Sequence, residues 1–250
     1  MKRCVLVIAG TDSSGGAGLV RDVQVISDFG ARATCAVTAV TAQTNSEVDA
    51  TCVLAPDLVR QQVRSALRCG PIHAIKIGML GSGATVRALL EELPDRMHVP
   101  IILDPVLRSS SGTALLDGDG VRLLRDQLLS RCVLVAPNLM EAATLLGCAM
   151  ATTTEEQSQQ ARQLLHFGSE AVLLKGGHGS QRNAVDVLAT QSTPPVVLTA
   201  ERVDAPMRGT GCGLSSAIAV LLASGASIES ACRQAKAYIH ARLRAIGRDQ

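Results

Sequence analysis

Short runs of branched apolar residues alternate along this chain with longer segments whose apolar residues recur every three or four positions. VLVIAG (Val5–Gly10) has the character of a buried strand. Leu19, Val20, Val23, Ile26 and Ser27 then follow a helical period, and Gly30 is a stop signal. Ala33–Val40 predicts a second strand, and Asp57–Arg68 an amphipathic helix with Val59, Val63, Ala66 and Leu67 on one face. Ala74–Gly78, Ile101–Asp104 and Val133–Ala136 predict further short strands, separated by helices over Ala84–Leu93, Val121–Leu129 and Leu139–Leu146. A helix over Glu155–Phe167 leads into the strand Ala171–Gly177; Val185–Leu198 fits a meander or hairpin; Gly213–Ser224 and Ile228–Ala245 fit two closing helices. Near-continuous apolar strands joined by helices imply an α/β fold with a mostly parallel sheet covered on both faces. No linker, repeat or low-complexity stretch divides residues 1–250, so a single domain is expected.

Composition narrows the function. Hydrophobic residues are 47% and charged residues 18% of the chain, which argues against disorder. Phe29, Phe167 and Tyr238 are its only aromatic residues, so it lacks stacking platforms for single-stranded nucleic acid. A net charge of +2 without a basic run gives a phosphate backbone nothing to grip. Lys2 and Arg3 before the apolar run Cys4–Ala9 superficially resemble a leader, but the run is short and meets a polar glycine loop, as a first strand would. No apolar stretch approaches the ~20 residues of a membrane span. The eight cysteines show no C-x-x-C spacing, so neither a zinc site nor a redox pair is indicated. They fit a reducing, cytoplasmic setting, with all but Cys212 expected in the core.

In an open α/β sheet, ligands bind beyond the carboxyl ends of the strands. The segments after the predicted strands are G-T-D-S-S-G-G-A-G (Gly10–Gly18), T-A-Q-T-N (Thr41–Asn45), G-M-L (Gly78–Leu80), D-P-V (Asp104–Val106), P-N-L-M-E (Pro137–Glu141), K-G-G-H (Lys175–His178) and R-G-T-G-C-G (Arg208–Gly213). Polar and glycine residues thus converge on one sheet edge. The last segment opens a helix. Its glycines permit close approach to a ligand, and the helix N-terminus offers free N–H groups, an arrangement suited to the charge that develops in phosphoryl transfer. The plainer alternative is a glycine turn before a core helix. No G-x-x-x-x-G-K-[ST] or G-x-G-x-x-G occurs.

Together, A-G-T-D-S-S-G-G-A-G, V-T-A-Q-T-N, K-I-G-M-L, L-D-P-V, A-P-N-L-M-E-A, L-K-G-G-H and G-T-G-C-G-L-S-S-A-I-A stand in one family's order and spacing. From about Val5 to Leu243 the chain resembles the hydroxymethylpyrimidine/phosphomethylpyrimidine kinases of thiamine biosynthesis, within the ribokinase-like superfamily. The resemblance implies a ribokinase-like three-layer fold, a homodimer, and ATP with Mg²⁺. It also implies phosphorylation of 4-amino-5-hydroxymethyl-2-methylpyrimidine and then of its monophosphate.

Residue by residue, the resemblance assigns Gln43 to the aminopyrimidine edge, where a carboxamide offers both a donor and an acceptor; capping its own loop is the alternative. Met79 matches a residue packing near the ring, with core filling as its rival. Asp12 and the backbone near Ala17 fall in the first substrate loop, unless Asp12 caps the following helix. Asn138 and Glu141 form the superfamily's N-x-x-E pattern beside Mg²⁺ and the ATP phosphates, although the same spacing is an ordinary helix cap. Asp104 belongs with that Mg²⁺ or phosphate region, and Lys175 is a phosphate contact or a solvated strand-end lysine.

Gly209, Thr210 and Gly211 form the anion cradle, and Cys212 stands where many ribokinase-like sugar kinases carry an aspartate base. Its place at a helix N-terminus predicts a lowered thiol pKa and a thiolate accessible near neutrality. Unlike a carboxylate, a neutral thiol would not repel the phosphorylated acceptor of the second step. The family often has histidine where this chain has Arg208, either a lineage variation or an added phosphate-gripping cation. A pyridoxal kinase of the same superfamily, or a catalytically silent ligand-binding homologue, are the competing readings. Thr41–Val53 is the segment to examine for a flap over the site.

Overall fold

The computed structural model describes residues 2–44, 46–93, 98–109, 112–177, 183–205 and 207–248. Strand β1 (Cys4–Asp12) leads through α1 (Gly18–Asp28) to β2 (Arg32–Gln43), which turns back as β3 (Val48–Val53). Then follow α2 (Pro56–Arg68), β4 (Ala74–Ile77), α3 (Gly83–Glu92), β5 (Ile101–Leu103), α4 (Gly118–Leu123), β6 (Leu134–Val135), α5 (Leu139–Leu146) and α6 (Thr154–Leu165). The chain closes with β7 (Ala171–Lys175), β8 (Asn183–Thr190), β9 (Val196–Glu201), α7 (Thr210–Ala223) and α8 (Ile228–Arg248).

The described strands make one sheet in the order β3-β2-β1-β4-β5-β6-β7-β8-β9. From β2 to β7 every neighbour is parallel; β3 at one edge and β8 at the other run antiparallel to these, and β9, antiparallel to β8, turns back into their direction. Side-chain alternation along β1 divides the core: Leu6 and Ile8 pack with α2, α3, α5 and α6, while Val5, Val7 and Ala9 pack with α1, α7 and α8. The three-layer α/β expectation therefore holds. The chain leaves β1 toward β2 but returns to β4 on β1's other side, so a topological switch point lies between β1 and β4.

Three sequence expectations need correction. The second strand does not stop at Val40 but runs to Gln43, because β3 pairs with it from Val53↔Ala39 to Val48↔Gln43. The single helix expected over Val121–Leu129 changes pitch: α4 widens into a π-helical turn over Leu124–Leu128 and tightens to 3-10 winding over Leu129–Arg131. The cysteines other than Cys212 are not all core residues. Cys4, Cys132 and Cys232 are buried, but Cys52 on the edge strand β3, Cys69 at the end of α2 and Cys148 just beyond α5 are exposed, and Cys35 is half-buried. Asn45 and His178, the last residues of two loop motifs, lie outside the described residues.

Candidate active site

A cleft of about 460 Å³ follows the carboxyl edge of the sheet, and every site residue named from the sequence lines it. At the switch point, β1 passes through Gly10, where its pairing with β2 slips register, and ends at Asp12. A methyl group at Gly10 would lie 2.9 Å from Met79 Sδ, so glycine lets Met79 pack over the strand. Met79 is buried with Ala39 and Leu115, as its core reading expects, and also lines the cleft.

Asp12 does not cap α1, whose N-cap is Ala17 without a side-chain bond. It organises the loop instead. Its Oδ1 accepts from the Ser14 N–H and hydroxyl, both at 2.8 Å, and its Oδ2 accepts from Gln43 Nε2 at 3.1 Å. Thr41 Oγ1 shares its one proton between Gln43 Oε1 at 3.2 Å and the Thr11 carbonyl at 3.1 Å. The two bonds to Gln43 fix which way the carboxamide points. A carboxamide has two N–H donors and two acceptor lone pairs, so one donor and one acceptor remain for a ligand edge.

The G-T-G-C segment meets this end from below. Gly209 starts α7 in the left-handed region (φ 69°), and a Cβ there would lie 2.4 Å from the Gly16 carbonyl oxygen. The two glycine loops therefore touch backbone to backbone. Cys212 is held under them, its sulfur facing the Gly18 N–H. Its ionisation contradicts the helix-terminus expectation. Burial pushes the thiol up to about 11, and the neighbouring Asp22 and Asp104 add to the rise against Lys76 and the Gly18 N–H. Cys212 is a neutral thiol at neutral pH, because desolvation outweighs the helix dipole.

Along the cleft, β5, β6 and β7 deliver charged groups. Lys175 Nζ lies 2.6 Å from Asp104 Oδ1, with the lysine side chain 14% exposed, so it is not the solvated strand-end residue of the plainer reading. A Cβ on Gly211 would come within 3.1 Å of Lys175 Nζ and 3.7 Å of Asp104 Oδ2, which places this pair directly beside the anion cradle. Asn138 and Glu141 do form a full capping box on α5: Glu141 N–H donates to Asn138 Oδ1 at 2.8 Å, and Glu141 Oε2 accepts from the Asn138 N–H at 2.7 Å. The capping reading is met, and both residues also line the cleft. Burial pushes the Glu141 carboxyl up to about 7, Lys175 opposing and Asp104 adding to the shift.

Several cleft groups had no sequence assignment. Lys76 and Asp22 form a wholly buried ion pair at 2.7 Å beneath Cys212, and Ser216 Oγ donates to Asp22 Oδ1 at 2.8 Å. The lysine in the apolar run A-I-K-I was its visible trace. At the β8–β9–α8 end, Lys236 Nζ pairs with Asp186 Oδ2 at 2.6 Å, and His240 lines the cleft with its Nε2 buried and without a hydrogen-bond partner. Nothing in the helical pattern distinguished Lys236 or His240 from surface residues. Among the described residues no cluster of three or more His, Cys, Asp or Glu forms a metal cage, and no helix is long and apolar enough to cross a membrane.

A glycine cradle at a helix N-terminus, flanked by a buried lysine–aspartate pair and opening on a hydrogen-bonding pocket, defines a small-molecule phosphotransferase of the ribokinase-like class. Structural comparison agrees. A crystal structure of phosphomethylpyrimidine kinase from Clostridium difficile 630 superposes with a TM-score of 0.83 at 31% identity, covering 97% of this chain and all of that one. Staphylococcus aureus pyridoxal kinase in complex with AMP-PCP and pyridoxal gives 0.85 at 27% identity, covering 96% of this chain and 87% of that one. The hydroxymethylpyrimidine/phosphomethylpyrimidine kinase of Rhizobium meliloti is 38% identical over 99% of this chain and 93% of its own, and that of Salmonella typhimurium 40% identical over 95% and 90%. Residues 12–249 match the family model for phosphomethylpyrimidine kinase. The chain belongs to the phosphomethylpyrimidine kinase family, and ATP is the phosphate donor which that family implies.

Proposed function

We propose that this kinase phosphorylates 4-amino-5-hydroxymethyl-2-methylpyrimidine and then its monophosphate to the diphosphate, in thiamine diphosphate synthesis. The observation that carries the reading is the Asp12–Gln43–Thr41 frame, whose remaining donor and acceptor match an aminopyrimidine edge. The acceptor sits at the β1–β4 switch point against Met79, with the backbone near Ala17 beside it. The phosphates of ATP lie over Gly209, Thr210 and Gly211 next to Lys175 and Asn138, and the nucleoside extends toward Lys236 and His240.

Mg²⁺ fits the donor set. It keeps several waters and asks for one or two carboxylates plus substrate phosphates rather than a protein cage. Glu141 and Asp104 are both buried carboxylates on the cleft wall, and Asp104 is already paired with Lys175 at 2.6 Å. They would hold the hydrated ion, which would neutralise charge on the phosphates.

The protein's own task is to position and to stabilise charge. Lys175 and the N–H groups of the cradle face the phosphoryl oxygens as charge builds on them. In the alcohol step the attacking oxygen bonds to the γ-phosphorus, the bond to the ADP oxygen breaks, and the hydroxyl proton passes late to an oxygen of the transferred phosphoryl group, because a loose transition state puts little demand on a base. In the second step the acceptor is a phosphate already largely ionised near neutrality. A neutral Cys212 thiol admits that anion. A homodimer in the cytoplasm, with neither nucleic acid nor membrane as partner, completes the reading.

The test is incubation of the protein with ATP, Mg²⁺ and the pyrimidine alcohol, products being followed by mass, with pyridoxal assayed in parallel. Successive mono- and diphosphate formation is expected. Turnover of pyridoxal alone would overturn the reading in favour of a pyridoxal kinase, and no turnover of either in favour of a silent binder.

A further inference from the structure

Arg208 stands one residue before the anion cradle, and its guanidinium does not point along it. Nη1 donates to the Thr44 carbonyl at 2.7 Å and to Ser14 Oγ at 3.0 Å, and lies 3.5 Å from Asp12 Oδ2. One nitrogen thus gathers oxygens from the loop after β1 and from the end of β2, reached from the approach to α7. Two of the three gripped residues frame Gln43: Thr44 follows it in the chain, and Asp12 holds its amide nitrogen. Ser14 in turn donates twice to Asp12 Oδ1. The contact is close-packed as well as polar, for a Cβ on Gly16 would lie 3.3 Å from the Arg208 Cβ.

We infer that Arg208 is a strap: a positioning residue that fastens Asp12 and the Thr44 backbone so that the Gln43 carboxamide keeps the orientation the acceptor needs. The inference rests on the reading of Gln43 as the group facing the pyrimidine. It differs from a phosphate grip, in which the guanidinium would serve only a phosphorylated acceptor. The frame has a second fastening. Ser13 Oγ accepts from the Gln43 N–H at 2.9 Å and donates to the Gln43 carbonyl at 3.0 Å. Those bonds hold the strand end without Arg208, so removing the strap frees the side-chain frame and leaves the fold in place.

The experiment is steady-state kinetics of Arg208→Ala, Gln43→Ala and the double variant, each with the pyrimidine alcohol and with its monophosphate. Loss of a charge-assisted network of this kind weakens binding on the order of tenfold. Arg208→Ala is expected to raise KM for both acceptors by the same factor of about ten, with KM for ATP and kcat within about twofold. Guanidinium ion added below denaturing concentration is expected to restore part of the loss. In the Gln43→Ala background the Arg208 change is expected to add little, since the strap acts through Gln43. A rise confined to the monophosphate, an equal rise in KM for ATP, or full additivity with Gln43→Ala would overturn the strap. An unchanged acceptor KM in Gln43→Ala itself would instead overturn the reading of Gln43 on which it rests. Thermal melts of the variants, expected to match the parent, separate these outcomes from unfolding.

Discussion

Lys76 Nζ lies 2.7 Å from Asp22 Oδ2, and neither side chain has any exposed surface. The pair joins β4 to α1, and Ser216 on α7 completes it. Burial alone would pull the ammonium's pKa down, but the carboxylates of Asp22 and Asp104 raise it overall, so the lysine stays charged. Removing one partner leaves a lone charge in a dry interior. Lys76→Met is expected to destabilise the protein by about 3–5 kcal/mol. In a chain of this length that lowers Tm by ~10 °C. Asp22→Leu combined with Lys76→Met is expected to recover most of the loss. Thermal unfolding of the single and double variants checks both, and a double variant no better than Lys76→Met would refute the unpaired-charge argument.

Cys212 is expected to react slowly with alkylating reagents. A thiol ionising near 11 rather than 9 presents about a hundredfold less thiolate at any pH below 9. The exposed Cys52, Cys69 and Cys148 provide internal references. Mass-resolved labelling at pH 8 is expected to modify those three well before Cys212, with the gap narrowing above pH 10. The sign is fixed by burial: the raised pKa means the proton is held longer as pH rises. Early labelling of Cys212 near neutrality would show that the helix terminus wins after all.

A carboxylate in place of that thiol changes the two steps differently. Cys212→Asp is expected to keep measurable phosphorylation of the alcohol and to lower kcat/KM for the monophosphate by at least about tenfold, because like charges then meet in a site of low dielectric. Parallel assays with both acceptors give the ratio. Sparing of the second step by aspartate would contradict the argument for a neutral group.

Gly209 tests the contact between the two glycine loops. An alanine there would adopt φ 69° and place its Cβ 2.4 Å from the Gly16 oxygen, so one loop must move. Displacing the cradle by about an ångström is expected to lower kcat about a hundredfold. Gly30, also at positive φ but with no atom within 4 Å of an added Cβ, is the control: Gly30→Ala carries the backbone strain without the clash and is expected to keep its activity. Equal activity losses in the two variants would mean that strain, not the clash, is responsible.

The parts of this architecture that showed in the sequence are those set by local pattern. β1, β4 and β7 are buried on both faces and, Lys76 apart, almost wholly apolar within the sheet, so their runs announce themselves, and glycines and polar residues after each strand mark the cleft edge. β3 did not show, because VDATCV is exposed at five of its six positions and carries no buried face to generate alternation. Its pairing with β2 is a tertiary fact. The Cys212 ionisation failed for the same reason: position at a helix terminus is local, whereas desolvation depends on the loops and charges that cover the sulfur. The Lys76–Asp22 pair spans 54 residues, and only the lysine's oddity within an apolar strand hinted at it.

The most direct measurement is calorimetric titration of the pyrimidine alcohol and its monophosphate into the protein without nucleotide, separately and in competition. If one cleft framed by Asp12 and Gln43 serves both phosphorylations, the two ligands exclude each other with a stoichiometry of one per chain, and Gln43→Ala weakens both about a hundredfold. Simultaneous binding of the two, or a Gln43→Ala variant that still binds them at full strength, would contradict it.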